Sequence, residues 1–211
     1  LDNDELTFHT APSTKNNLDC LLIKNLFSYL KIPIENVEVI GVTGGKSSDI
    51  DDSMDGIEIM KINEIDAIGI GAKKLYGIND ESTLIVSAGT GTACVHVQGN
   101  NFYHLGGIAV GGGMLEGLGS LLFNNSHGLE INEFAQKGSR TELHLLIGDV
   151  VNKIGNLSPE ITAVNFGQAK HSSTDTMENT SAALCNMIGE VIGTVAYLNA
   201  LLIGSDKACF I

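Results

Sequence analysis

The sequence contains very little arginine: Arg140 is the only one in 211 residues. Lysine and arginine together number 12 against 25 acidic residues, which leaves a formal charge of −13 with histidine neutral. Proteins that bind nucleic acid or anionic membranes need basic patches to neutralise phosphates. The charge balance therefore argues against both classes of partner. A small phosphate would have to be held by backbone N–H groups, helix N-termini, lysine or a metal ion.

Cysteine and long apolar runs are also scarce. The four cysteines, Cys20, Cys94, Cys185 and Cys209, form no CxxC or CxxH pair, which argues against a zinc site and against a disulfide framework. We therefore expect reduced, mostly buried thiols in a cytoplasmic protein. Glu190 and several glycines interrupt the apolar stretches, so no run of 18 apolar residues is available to cross a membrane. The chain begins LDNDELTFHT and ends KACFI, and we interpret both ends as cuts within a longer protein.

Glycine is abundant by contrast, with 25 residues. Hydrophobic periodicity predicts helices over residues 17–31, 65–75, 114–123, 130–135, 142–151 and 181–203. Apolar or alternating segments bounded by turn residues predict strands over 36–42, 83–87, 92–98, 102–105 and 208–211. This alternation of strands and helices is typical of an α/β protein.

Two glycine turns flank the hairpin predicted over residues 92–105. The first, GTGT at 89–92, follows an apolar strand, at the end of which ligands bind in open α/β sheets. The second, GGG at 111–113, opens a predicted helix whose N-terminus favours a negative charge. Together they predict a phosphate clamp that needs no arginine. The alternative is that these glycines only permit tight chain reversal.

Glu64 lies between apolar residues at the start of a predicted helix. A carboxylate that is partly buried there could act as a general base on a substrate hydroxyl, because burial raises a carboxyl pKa. The alternative is that Asn63 or Glu64 caps the helix. His96 and His104 lie on the two strands of the hairpin and could be cross-strand neighbours, but the histidines show no metal-binding spacing.

Three further patterns favour a structural interpretation. The acidic run at 49–58 resembles the opening of a calcium loop, but position twelve would be Ile62, so a solvated surface loop is favoured. The segment 40–47 nearly matches a nucleotide-binding GxxxxGK[ST] loop, but isoleucine replaces its first glycine, which favours a simple turn. Gly189 and Gly193 have the spacing of closely packed helices.

A succession of motifs connects these features to a known family. Their sequences are VTGG (42–45), NEIDA (63–67), SAGTGT (87–92), HLGGIAVGGGMLEGLGSLL (104–122), AQKGSR (135–140), IGDV (147–150) and TAVNFG (162–167). In this order and spacing the chain resembles the type II pantothenate kinases. The resemblance implies an α/β, actin-like (ribonuclease H-like) two-lobed ATPase fold, here incomplete at both ends. The lobes would cover residues 1–75 and 76–211.

The implied activity is ATP-dependent phosphorylation of pantothenate to 4′-phosphopantothenate, the first step of coenzyme A synthesis, by a cytoplasmic homodimer. By position, Glu64 would be the catalytic base, and Mg²⁺ would bridge the phosphates without an assigned protein ligand. His104 stands where the family has an arginine for the pantothenate carboxylate, and Ala93 where it usually has serine. The positions that would contact ATP are Thr90, Gly112, Gly113, Met114, Leu115, Glu116 and Gly128.

Two alternatives stay open at this point. One is a non-catalytic nucleotide- or coenzyme A-binding member of the same fold, which the replacements His104 and Ala93 would suit. The other is a kinase of the same superfamily that acts on another small hydroxyl substrate.

Overall fold

A computed structural model describes residues 7–9, 19–79, 81–152, 155–171 and 176–211. The chain divides into two compact units, residues 1–70 and 71–211, and the division falls within helix α2 (Glu64–Tyr76). Each unit has its own sheet and its own buried apolar cluster.

The first unit contains α1 (Cys20–Leu30) and a sheet of β1 (Val39–Val42), β2 (Ser53–Met54) and β3 (Ile57–Lys61) in the order β1-β3-β2. β1 is parallel to β3, and β2 is antiparallel to it. Asp19 caps α1, since its carboxylate accepts from the Leu22 N–H at 2.9 Å. The predicted helix over 17–31 is thus confirmed for its described part, and its apolar face covers Ile40, Ile50, Met54 and Ile59.

The second unit is built on a sheet ordered β6-β5-β4-β9. β4 (Thr83–Ala88), β5 (Thr92–Gln98) and β6 (Asn101–Ile108) are antiparallel neighbours, and β9 (Ala208–Phe210) adds in parallel to β4. Leu84, Val86 and Cys94 are fully buried against α6 (Met177–Leu202). The strands predicted over 83–87 and 92–98 are confirmed, whereas β6 extends beyond the predicted 102–105 and includes Gly106 and Gly107.

The remaining elements of this unit are α3 (Gly112–Phe123), α4 (Gly128–Ala135), β7 (Leu145–Leu146), α5 (Ile147–Val150) and β8 (Thr162–Val164). The single helix predicted over 142–151 is wrong. Leu145 and Leu146 form a short antiparallel pair with β8, and a Cβ added at Gly148 would lie 3.0 Å from Pro159. Strand pairing with β8 therefore overrides the helical periodicity, and only one helical turn of the predicted helix forms, as α5.

α6 is long and apolar enough to cross a membrane by the criteria of length and composition. It packs instead against β4, α3 and α4 of its own unit and carries Asn186 and Glu190, which are both half-buried. Core helices of soluble proteins pass the same test of length and composition. Thr176 caps its N-terminus by accepting from the Asn179 N–H at 3.1 Å.

Candidate functional site

The two predicted glycine turns lie in direct contact at the end of β4. The Gly112 N–H donates to the Gly89 carbonyl at 2.7 Å, and the Gly113 N–H donates to the Thr90 carbonyl at 3.0 Å. On the strand side, the Thr92 hydroxyl donates to the Val110 carbonyl at 2.8 Å. We call residues 89–92 together with 110–113 the glycine corner.

The contact is so close that the second turn has no room for side chains. A Cβ on Gly111 would lie 2.7, 2.8 and 2.9 Å from the carbonyl oxygens of Gly89, Thr90 and Gly91. A Cβ on Gly113 would lie 2.7 Å from Thr90 Cγ2 and 3.0 Å from the Thr90 carbonyl. Glycine at 111 and 113 therefore serves the close approach of one turn to the other.

The three carbonyls that converge on Gly111 also fix the direction of the donors in the first turn. In a trans peptide the C=O and the following N–H point in opposite directions. The N–H groups of Thr90 and Gly91 therefore point away from the second turn, and they donate to no other residue in the described part of the chain. Thr90 is exposed. The first turn thus presents backbone donors, of the kind that bind anions, at the surface.

The second turn presents no such donors. Besides Gly112 and Gly113, the N–H groups of Met114 and Leu115 both bond to the Gly111 carbonyl at 3.1 Å. A helix normally leaves four N–H groups without an intrahelical partner, here those of Gly111 to Met114. The N–H groups of Gly112, Gly113 and Met114 bond within the corner, and Gly111 is buried. The two turns are in contact, and within the described residues only the first presents exposed, unpaired backbone donors. The phosphate clamp itself stays a prediction.

Two of the predicted ATP-contacting positions lie farther along α3 and at the start of α4. A Cβ added at Gly128 would lie 3.4 Å from the Glu116 carboxylate, so these two positions are neighbours. Glu116 is exposed, whereas Met114 and Leu115 are half-buried. The structure thus places Gly112, Gly113 and Thr90 together and pairs Glu116 with Gly128.

His104 is exposed on β6, opposite Val95 of β5. His96 is opposite Tyr103, so the two histidine side chains lie on opposite faces of the sheet. The prediction that His96 and His104 are cross-strand neighbours is therefore wrong. His96 Nε2 lies 2.9 Å from the Ser82 hydroxyl, and its ring lies 5.9 Å from the Tyr103 ring. His96 is therefore a structural histidine, while His104 is accessible to a ligand.

Glu64 is the first residue of α2 and is exposed. The expectation of a partly buried carboxylate is therefore wrong. Asn63 caps the helix instead, because its side chain accepts from the Ile65 N–H at 2.8 Å. This leaves the Glu64 carboxylate without a hydrogen bond or ion pair to any residue in the described ranges.

The acidic run at 49–58 and the near match to a nucleotide-binding loop at 40–47 both form ordinary turns. Asp55 and Gly56 both have positive φ angles, 51° and 84°, and form the tight turn of the β2–β3 hairpin. Residues 47–49, after the near match to a nucleotide-binding loop, form only a 3₁₀ turn. No group of three or more His, Cys, Asp or Glu side chains suited to a metal ion occurs among the residues that the structure describes.

A polar cluster that the sequence analysis missed surrounds the only arginine. Arg140 donates to the Thr162 hydroxyl at 3.0 Å and to the Glu160 carbonyl at 2.7 Å. The Thr162 hydroxyl in turn donates to the Glu190 carboxylate at 2.6 Å. Arg140, in the 3₁₀ turn Arg140–Glu142, is therefore connected to β8 directly and to α6 through Thr162, and both of its bonds are structural. The Arg140 cluster consists of Arg140, His144, Thr162, Asn165, Asn186 and Glu190.

Two titratable groups of this cluster have displaced pKa values. Burial lowers the pKa of His144, whose ring is fully buried, although the nearby Glu190 carboxylate acts in the opposite direction. Burial alone would raise the pKa of Glu190, but hydrogen bonds from Thr162, Asn186 and Asn165, with His144 nearby, lower it. His144 Nδ1 accepts from the Phe166 N–H at 3.0 Å, so the ring is neutral with its proton on Nε2.

A largely apolar cavity of about 670 Å³ lies within the second unit. Its walls come from α3, the segment around Phe166 and the first half of α6; they include Leu118, Leu122, Phe166, Met177 and Met187. A smaller hollow of about 280 Å³ lies beside Glu190 and Asn165. Neither cavity is lined by a residue of the glycine corner.

Comparison with known proteins agrees with the motif succession. Type II pantothenate kinase from Bacillus anthracis is 33% identical over 168 residues, which is 74% of this chain and 59% of that relative. The Staphylococcus epidermidis enzyme of the same name is 32% identical over 168 residues, covering 77% of this chain and 63% of that relative. The resemblance is thus confirmed, and the chain spans about three fifths of the length of these curated relatives.

The fold is also found among solved structures. The activator of 2-hydroxyisocaproyl-CoA dehydratase from Clostridium difficile, with bound ADPNP, matches 90% of this chain and 65% of its own. The TM-score is 0.54 at 14% identity, which shows a shared fold. The expected actin-like α/β ATPase fold is confirmed. The family model described as Fumble matches residues 78–211, well over half of the sequence, and the chain therefore belongs to the Fumble family.

Proposed function

We propose that this protein, in its full length, transfers the γ-phosphoryl group of ATP to the primary hydroxyl of pantothenate. The observation that carries the proposal is the first glycine turn, which presents the Thr90 and Gly91 N–H groups at the surface at the end of β4. Backbone donors of this kind can hold phosphate without arginine, which suits a chain with a formal charge of −13 and a single arginine. The names of its relatives support the substrate.

In the proposed reaction Glu64 is the general base. Its carboxylate, exposed and without a partner among the described residues, accepts the proton of the pantothenate hydroxyl as that oxygen attacks the γ-phosphorus. The bond to the oxygen between the β- and γ-phosphorus breaks, and ADP leaves with the electron pair. Phosphoryl transfer depends mainly on positioning and charge stabilisation, so one base and a few aligned donors are sufficient protein chemistry.

Mg²⁺ would enter bound to ATP. Such an ion would take most of its ligands from phosphates and water. When bound, it neutralises charge on the phosphates. Thr90, Gly112, Gly113, Met114, Leu115, Glu116 and Gly128 remain our proposed nucleotide contacts; for Gly112 and Gly113 the contact would not involve their N–H groups, which are already bonded.

His104 would face the pantothenate carboxylate. It is exposed on β6 and can donate one hydrogen bond, but it lacks the two-pronged donor geometry and permanent charge of arginine. Substrate binding should therefore be weaker than with arginine at this position.

We also propose that the protein is a cytoplasmic homodimer. The C-terminal half of α6 exposes Tyr197, Leu198, Leu201 and Leu202 by 57–76%. Large apolar side chains adjacent on one helix form a surface that a second copy would cover. A Leu201→Glu substitution should shift the full-length protein toward monomer in light scattering coupled to size-exclusion chromatography.

The decisive experiment combines ADP release with mass spectrometry of the product. The full-length protein should form phosphopantothenate, and Glu64→Gln should lower kcat by about 10²- to 10⁴-fold, the range for loss of a general base. Asp66→Asn, in the first turn of the same helix, is the matched control and should change kcat less than about threefold.

The possible results separate the claims. Absence of phosphopantothenate with the wild-type protein contradicts the substrate. Product at an unchanged rate with Glu64→Gln contradicts only the role of Glu64. Nucleotide binding without turnover of any small hydroxyl compound would favour the non-catalytic alternative.

A further inference from the structure

We propose that Gly113 is a positioning residue, which holds Thr90 in the side-chain rotamer that presents its hydroxyl to the phosphates of a bound nucleotide. The inference rests on the proposed function only in requiring that a nucleotide binds at the first glycine turn. It assigns Gly113 a further, indirect role through the Thr90 side chain, since the Gly113 N–H is already bonded to the Thr90 carbonyl.

The geometry begins with the Thr90 methyl group. A Cβ built on Gly113 would lie 2.7 Å from Thr90 Cγ2, so the methyl is directed at the space that glycine leaves open. Cγ2 and Oγ1 are the two branches on one Cβ, and a β-branched side chain has few allowed rotamers. Seating the methyl against Gly113 therefore also fixes the direction of the hydroxyl.

The hydroxyl is free to bind a ligand. Thr90 is exposed, and within the described ranges its hydroxyl forms no hydrogen bond to another residue. The neighbouring Thr90 and Gly91 N–H groups are unpaired in the same part of the structure. A hydroxyl held beside two backbone donors completes a set of donors suited to phosphate oxygens.

The environment of Gly113 admits no larger residue without moving Thr90. A methyl at 113 would meet Thr90 Cγ2 at 2.7 Å and the Thr90 carbonyl at 3.0 Å. Rotation of the threonine side chain relieves the first contact, and a shift of a few tenths of an ångström relieves the second. Gly117, one turn later in α3, meets nothing within 4 Å and provides the matched control.

The test uses four variants of the full-length protein: Gly113→Ala, Thr90→Ser, the double variant and Gly117→Ala. Calorimetry measures the affinity for ADP and for a non-hydrolysable ATP analogue, and steady-state kinetics separates KM for ATP from kcat. Gly113→Ala should weaken nucleotide binding and raise KM for ATP about 10- to 100-fold, the range for loss of a hydrogen bond to a charged group. Gly117→Ala should change neither by more than about twofold.

The double variant distinguishes positioning from general disruption. Thr90→Ser keeps the hydroxyl and removes the methyl, so it should weaken binding less than about fivefold and make room for a methyl at 113. Gly113→Ala combined with Thr90→Ser should therefore bind nucleotide more tightly than Gly113→Ala alone. Equal or weaker binding by the double variant, or wild-type affinity in Gly113→Ala, would overturn the inference.

A further measurement covers the case in which Gly113→Ala does not fold. Thr90→Val keeps the methyl against Gly113 and lacks the hydroxyl, so it should keep the wild-type Tm and lose about 10- to 100-fold in nucleotide affinity. Unchanged affinity would overturn the inference. Because the readout is nucleotide binding, a wild type that binds ATP but does not phosphorylate pantothenate would contradict the proposed substrate and leave the role of Gly113 intact.

Discussion

The glycine corner and the Arg140 cluster both fix polar groups in the second unit, but they do so by opposite means. In the corner, backbone atoms bond to backbone atoms, and side chains are excluded around Gly111 and Gly113. In the cluster, side chains from a 3₁₀ turn, β8 and α6 bond to one another. The corner therefore has no titratable group in its hydrogen bonds and is sensitive to added volume. The cluster has two titratable groups and is sensitive to lost atoms and to pH.

The largest expected effect comes from adding volume to the corner. Gly111→Ala places a methyl within 2.9 Å of three carbonyl oxygens, none of which can rotate away. We expect the free energy of unfolding to fall by about 3 kcal/mol, at the upper end for overpacking, as measured by urea denaturation. Gly117→Ala is the control and should be neutral or slightly stabilising, because alanine favours a helix over glycine. Wild-type stability of Gly111→Ala would show that the turns are not in fixed contact.

The second effect comes from removing an atom from the cluster. The Thr162 hydroxyl accepts from Arg140 and donates to Glu190, so Thr162→Val leaves both without this partner. A hydrogen bond to a charged group is worth about 1.5–3 kcal/mol, and we expect a loss of about 2 kcal/mol in the same denaturation experiment. Thr194→Val, at an exposed position of α6, should change stability by less than about 0.5 kcal/mol. If Thr162→Val and Thr194→Val changed stability equally, the hydrogen bonds from Arg140 to Thr162 and from Thr162 to Glu190 would not contribute to stability.

The third effect is a pH dependence of stability that comes from the Arg140 cluster and not from the glycine corner. The pKa of His144 is lowered in the folded protein, so the unfolded chain takes up this proton first as the pH falls below about 6.5. The stability that this group contributes is complete above that pH and is lost progressively below it, at up to about 1.4 kcal/mol per pH unit. The lowered pKa of Glu190 acts in the same direction at more acidic pH.

His144→Asn tests this assignment. The asparagine side chain can still accept from the Phe166 N–H but does not titrate. The slope of stability against pH between about 5 and 6.5 should be smaller in this variant than in the wild type. Gly117→Ala, which lies outside the cluster, should keep the wild-type slope. An unchanged slope in His144→Asn would assign the pH dependence to other groups.

The sequence predicted the corner better than the cluster, and the reason is physical. Glycines that follow a strand and open a helix are local signals, and the short hairpin between them leaves few ways to arrange the two turns. The cluster joins residues 22 to 28 positions apart in the sequence, and no local pattern connects Arg140 or Thr162 with Glu190. Glu190, a charged residue within the apolar pattern of α6, was the one local sign of a buried polar cluster.

The errors follow the same division. The helix predicted over 142–151 failed because Leu145 and Leu146 pair with β8, a contact that helical periodicity does not contain. Of the two interpretations of the segment around Glu64, the partly buried carboxylate is wrong and the helix cap is confirmed, with Asn63 as the capping residue and the Glu64 carboxylate exposed. In both cases the local pattern was present, and a tertiary contact or a neighbouring cap decided the outcome.

The smallest effect concerns Gly189 and Gly193, whose spacing is weak evidence of close helix packing. A Cβ added at either residue meets nothing within 4 Å of the described chain, and both residues are exposed on α6. Gly193→Ala should therefore raise the free energy of unfolding by about 0.5–1 kcal/mol, because alanine loses less backbone entropy than glycine in a helix. Urea denaturation at low protein concentration measures this for the separated chain. A loss of stability that grows with protein concentration would instead show that a second copy packs against this face, and that glycine at 193 permits a close approach between chains as Gly111 does within one.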